Sequence, residues 1–147
     1  MKRKLLINIL VIISLFMITS CTLKKNNKKN NKSNEVINTM KVTINNKEYL
    51  VQLEDNETVK SFIKLLPKEF NMNDLNNNEK YVYLDTQLIT NSYNPKHINK
   101  GDIMLFGDNC LVIFYKSFDT NYGYTKIGHI NNLEDLGNKS VTAKFEQ

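Results

Sequence analysis

The side chains with chemistry to offer are few and widely spaced. The 147 residues hold two histidines and two cysteines. His97 and His129 stand 32 positions apart, with no neighbouring Cys or His to complete a zinc spacing. His97, beside Asn94-Pro95, reads as an exposed loop residue, and His129, inside a strand pattern, as a hydrogen-bonded structural one. Cys110 follows Asp108 and Asn109 and lacks a basic neighbour to lower its pKa. It opens an apolar run, so it reads as a small buried core residue. Glu54, Asp55 and Glu57 sit where a helix is expected to start, and the macrodipole favours negative charge there. Asn73, Asp74, Asn76, Asn77, Asn78 and Glu79 are rich in oxygen ligands but lack the glycine and closing glutamate of an EF-hand. They read as a polar loop. Ser117 and Ser140 have no nucleophile-elbow context, and no glycine-rich phosphate loop is present. Neither a metal nor a cofactor is expected.

What remains is aromatic. Phe114, Tyr115, Phe118, Tyr122 and Tyr124 cluster in sequence, and large rings with a polar tip suit peptide or small-ligand recognition. Strand alternation sends Phe114 and Tyr115 to opposite sides. The hydroxyl makes Tyr115 the expected outward member, joined by Met104 from the neighbouring strand. Met104, Tyr115, Tyr122 and Tyr124 are thus the candidate groove for a peptide or small apolar ligand. The competing reading makes the same residues core and rim.

The elements that must position them are mostly strands. Met40, Val42 and Ile44 alternate with polar residues, as do Tyr49, Val51 and Leu53, and Asn45-Asn46 between them suits a tight hairpin turn. Val59, Phe62, Ile63 and Leu66 keep helical spacing, with Asp55 or Asn56 as cap and Pro67 as stop. Strands are expected near Phe70–Met72 and Tyr81–Leu84. Ile103–Phe106 and Leu111–Tyr115 are apolar on both faces, which means burial on both sides or an apolar groove on one. Val141, Ala143 and Phe145 close the chain as a last alternating strand. Residues 39–147 suffice for one core and are too few for two. Many short strands with one or two short helices make a mainly β fold, a small barrel or sandwich.

The first 21 residues carry an address. Lys2, Arg3 and Lys4 precede an apolar run from Leu5 to Ile18, then Thr19, Ser20 and Cys21. That order is a lipoprotein signal peptide over residues 1–20, cut before Cys21. Only 14 positions lie between Lys4 and Thr19, short of the about 20 that a membrane span needs. An ordinary secretory signal would leave Cys21 unexplained. A diacylglyceryl group on Cys21 supplies two acyl chains at about 0.8 kcal/mol per buried methylene, enough for stable anchoring. The expected location is the extracytoplasmic face of a bacterial membrane.

Residues 21–38 form a Lys/Asn-rich linker with little to bury, so a disordered tether is expected. Its lysines favour anionic headgroups beside the anchor, or serve simply as a solvated spacer. The sequence has 20 basic and 15 acidic residues, a net of +5. The signal and tether hold eight of the bases and one of the acids, leaving 12 against 14 over residues 39–147. The basic balance therefore belongs to the leader, and no nucleic-acid partner is expected of the domain. Nothing in the pattern sets an oligomeric state.

The run Asn94-Pro95, Ile98, Gly101–Gly107, Cys110 and Val112–Ser117, continued by Tyr122–Ile130, resembles the bacterial cyclophilin-like domain. The opening hairpin, the helix and Leu65-Leu66-Pro67 add to the likeness, which covers nearly all of residues 39–147. The resemblance implies an eight-stranded closed barrel. True cyclophilins are prolyl isomerases that polarise the prolyl amide with an arginine beside an apolar proline pocket. Tyr124–Ile130 is similar to the cyclophilin stretch His-Val-Val-Phe-Gly-Lys-Val, which puts Tyr124 where those enzymes place a pocket histidine. The sequence has one arginine, Arg3, within the predicted signal peptide. The tyrosine-rich groove and the lack of an arginine after Arg3 point to a binding or accessory module, with a divergent isomerase assisting exported proteins, or a purely structural role in the envelope, as alternatives.

Cys21→Ala should abolish both lipid attachment and cleavage at Ser20–Cys21. Mass spectrometry of the membrane fraction checks this, and an unmodified Cys21 in membrane-bound wild type would refute it.

Overall fold

The structure, a computed structural model, describes residues 38–147. The predicted signal peptide, Cys21 and all but the last residue of the tether lie outside them. Strands β1 (Thr39–Ile44) and β2 (Lys47–Leu53) form the expected opening hairpin. Asn45 and Asn46 take φ of 46° and 68°, the consecutive positive values that a two-residue hairpin turn demands. Helix α1 (Glu57–Ile63) is capped by Asn56, whose side chain accepts from the Val59 N–H at 2.9 Å. It is the one helix among the described residues.

The rest is β: β3 (Lys68–Leu75), β4 (Glu79–Tyr83), β5 (His97–Ile98), β6 (Asp102–Phe106), β7 (Cys110–Phe114), β8 (Phe118–Asp119), β9 (Thr125–Ile130) and β10 (Val141–Glu146). Eight strands close into an antiparallel barrel in the order β1-β10-β3-β4-β7-β6-β9-β2, while β5 and β8 pair outside it. Closure leaves no free sheet edge in the barrel. Between Ile103 and Met104 the β6–β9 register slips, leaving Ile127 without an opposite residue as a bulge. Gly128 beside it is obligatory, because a Cβ there would lie 2.4 Å from the Gln52 carbonyl oxygen.

Alternation sorts the side chains. Met40, Val42, Ile44, Val51, Met72, Ile103, Leu105, Leu111, Ile113, Ala143 and Phe145 fill the interior, each almost fully buried. One end is stopped by α1, whose Phe62 meets Phe145 edge-on at 5.5 Å. Leu84 and Leu88, from the connection after β4, join the interior cluster there. Their backbone N–H groups bond the Asn109 and Asp108 carbonyls, both at 2.7 Å.

The opposite end is stopped by charge. Lys80 is fully buried, and its Nζ donates to Asp74 Oδ1 at 2.6 Å and to the carbonyls of Gly137 at 2.6 Å and Lys139 at 2.8 Å. The Tyr115 hydroxyl donates to the same Asp74 oxygen at 2.5 Å, and the Asn77 N–H to the other at 3.1 Å. Lys80 Nζ also lies 4.8 Å from the Tyr115 ring centroid. Burial pushes the Asp74 carboxyl up, but the bonds from Lys80, Tyr115 and Asn77 outweigh it and hold the pKa below the usual value. The network is therefore ionised at neutral pH and loses its stabilising contribution only as pH falls through that depressed value.

Removing one partner of a buried ion pair strands the other. Lys80→Met should cost about 3–5 kcal/mol, read as a lower urea midpoint with unchanged slope. Adding Asp74→Leu should recover part of that loss. A loss under about 1 kcal/mol would mean that Lys80 does not hold this end.

Candidate functional site

The second apolar face of β6 and β7 lies outside the barrel. Met104, Cys110, Val112 and Phe114 form a separate buried cluster with Ile98 and Tyr124, backed by Tyr81 and Phe118. The β5–β8 ribbon supplies Ile98 and Phe118, and backbone hydrogen bonds between Tyr93 and Tyr124, both 2.9 Å, fasten the covering chain. Strands with two apolar faces were thus legible as such, and the structure shows what fills each.

The cover is incomplete. A groove of about 760 Å³ runs along the outer face of β4 and β7, within the range of small-molecule sites. Its walls include Glu79, Tyr81, Phe106, Cys110, Tyr122 and Tyr124. Phe106 packs against Tyr124 at 5.6 Å and edge-on against Tyr122 at 6.1 Å. Tyr122 is 66% exposed, and Tyr83 and Phe106 in the same lining are exposed as well, so the rim is rich in aromatic surface. A smaller hollow of about 370 Å³ beside Lys96 and His97 is open, with few apolar walls.

The groove's electrostatics are one-sided. Its acids are Glu79 and Asp119, and no lysine, arginine or histidine lines it. Burial, helped by the nearby Asp74 charge, pushes Glu79 up to about 7. Burial also pushes the Cys110 thiol up to about 11, with Glu79 adding to it, and raises Tyr124 in the same way. Both are neutral donors at physiological pH.

Of the four residues expected to form a groove, Tyr122 and Tyr124 line it and two do not. Tyr115 is not outward: it is 1% exposed and points into the barrel, because Asp74 at the barrel end gives its hydroxyl an acceptor. A polar tip does not force a ring to solvent when the interior offers a partner. Met104 lies on the outer face, opposite Tyr115, but is covered and contributes packing rather than wall. Cys110 is buried as expected, though on the outer cluster. His129 Nδ1 sits 2.9 Å from buried Asp102, a hydrogen-bonded structural histidine, and exposed His97 pairs with Asp119 at 2.6 Å. Among the described residues no group of His, Cys, Asp and Glu is arranged to hold a metal.

The stretch 73–79 is not a plain loop. Asp74 is the last residue but one of β3, Glu79 starts β4, and Asn76 and Asn77 turn between the strands at φ of 56° and 55°. Glu79 as a groove residue and Lys80 as a core residue were both missed. Their signal was the alternation Glu79, Tyr81, Tyr83 against Lys80, Val82, Leu84, which puts the lysine on the inward side.

The Cyclophilin-like family model matches residues 42–146, from the middle of β1 to the end of β10. The chain belongs to the cyclophilin-like family. No curated protein and no solved structure shows significant similarity to it. The match takes in all of the cyclophilin-like barrel but the first half of β1, both groove strands included.

A thiol this buried and this weakly acidic is slow to react, since the thiolate is the nucleophile. A thiol reagent at pH 8 should label Cys110 in the folded domain at least about 100-fold more slowly than in urea. Equal rates would place Cys110 on the surface.

Proposed function

We propose that this protein is a lipid-anchored ligand-binding module, tethered through Cys21 on the extracytoplasmic face of a bacterial membrane. Its barrel presents the aromatic groove to a peptide segment or small apolar ligand. The observation that carries this reading is the groove itself, with Tyr122, Tyr124 and Phe106 gathered over the outer face of β7. Its polar atoms are hydroxyls, amides and carboxylates, enough to orient a ligand. The leader pattern supports the anchor, and the lysines of the linker support attraction to anionic headgroups.

A second reading, a divergent prolyl isomerase, has one observation in its favour. Tyr124, where the cyclophilin likeness puts a pocket histidine, is a groove wall. Against it stands the lack of any arginine after Arg3. Catalysis requires groups that favour the transition state over the bound substrate, and losing one preorganised donor costs about 100- to 1,000-fold in rate.

A protease-coupled isomerisation assay over a panel of Xaa-Pro peptides, run beside calorimetric binding of the same peptides, separates the two. We expect binding that Tyr124→Ala weakens, with turnover near the uncatalysed rate. Turnover at ordinary cyclophilin levels, abolished by Tyr124→Ala, would overturn the binding-module reading.

A further inference from the structure

We infer that the groove selects an organic cation, an apolar molecule carrying a primary ammonium group that seats on Glu79 between the Tyr81 and Tyr124 rings. This rests on the groove being a binding site and names the chemistry of its ligand.

The inference starts from the β4 alternation. Lys80 turns inward and is consumed by Asp74 and two carbonyls, so it does not neutralise its outward neighbour. Glu79 shares the outward side with Tyr81 and sits opposite Phe114 of β7. Among the described residues no hydrogen bond or ion pair reaches its carboxylate, and burial, with the Asp74 charge adding to it, pushes its pKa up. Asn78 beside it holds a buried side-chain oxygen that also lacks a donor. The other groove acid, Asp119, is already paired with His97. A half-buried carboxylate without a partner, walled by tyrosine rings and with no cation in the lining, is the complement of an ammonium. Ring faces attract cations through their quadrupole, and the carboxylate supplies the charge. An anion would meet repulsion from Glu79 and find no positive group to hold it.

The arrangement carries a pH signature. With Glu79 titrating near 7, its ionised fraction rises about tenfold between pH 6 and pH 8. An ammonium ligand stays charged across that range, so its affinity should rise with pH. The titratable groups around Glu79 are Asp74 behind the wall, Tyr81 on its own strand, Cys110 of β7 and Tyr124, with Tyr83, Asp119 and Tyr122 in the same lining. Cys110 and Tyr124 are raised and stay neutral, and Asp74 stays ionised.

Calorimetric titration of the full-length chain with phenethylamine, phenethyl alcohol and phenylacetate at pH 6 and pH 8 tests this. At pH 8 the amine should bind about tenfold more tightly than the alcohol, with phenylacetate weakest. From pH 6 to 8 the amine should gain about tenfold and the alcohol should not change. Glu79→Gln should erase both the pH dependence and the preference for the amine. Tyr122 and Tyr124 resonances should shift with either ligand, which locates binding in the groove. Equal affinity of amine and alcohol in wild type would overturn the cation inference while the groove reading stands. No binding by any of the three would overturn both.

Discussion

A closed barrel of eight short strands has two open ends, and each end must be filled without stranding polar backbone. Here the two ends are solved by opposite chemistry. At one, α1 lowers Phe62 onto Phe145. At the other, the buried Lys80 ammonium gathers Asp74, the Gly137 and Lys139 carbonyls and the ring of Tyr115. A buried charge is tolerated only when it is paired and its hydrogens are used. Lys80 meets both conditions, and in doing so it ties β3, β4, the chain after β7 and the segment before β10 to one atom. Single-residue specification of this kind is a known use of buried polar groups.

The outer face follows from that placement. Side chains alternate along a strand, so fixing Lys80 inward fixes Glu79, Tyr81 and Tyr83 outward. The adjacent β7 carries Cys110, Val112 and Phe114 on the same outer side, and β5, β8 and Tyr124 cover them only in part. The groove is what the partial cover leaves. Burial raises Glu79, and Asp74, whose bonds keep it ionised at the barrel end, adds to that shift from the same hairpin. The plug at the barrel end and the electrostatics of the groove are thus one system.

Much of the fold was legible. The Asn45-Asn46 turn, a helix cap at Asp55 or Asn56, the two-faced strands Ile103–Phe106 and Leu111–Tyr115 and the closing strand all follow from local periodicity and turn chemistry. So did the barrel, through the family likeness. The site was less legible, for a specific reason. Assigning Tyr115 outward rested on its hydroxyl, and nothing local to Tyr115 reveals that Asp74, 41 residues earlier, accepts from it at the barrel end. Lys80 was hidden by its type, since lysine is rarely buried, even though its neighbours Val82 and Leu84 keep the inward phase. Hydrogen-bond partners brought from distant strands are what periodicity alone does not contain.

The lining also bears on what chemistry the groove supports. Twisting a prolyl amide is eased by a donor that polarises it, and a positive group does this best. Glu79, the carboxylate at the groove wall, offers the reverse, and when ionised it opposes negative charge developing on a carbonyl oxygen. The neutral donors present are hydroxyls such as Tyr124, which burial and Glu79 keep protonated. Such groups orient a ligand by single hydrogen bonds but concentrate little field on one atom. A wall of rings around a carboxylate gains most from a ligand whose charge is already positive and does not change during binding. That electrostatic balance supports the proposed reading, a groove that holds a ligand more than it turns one over.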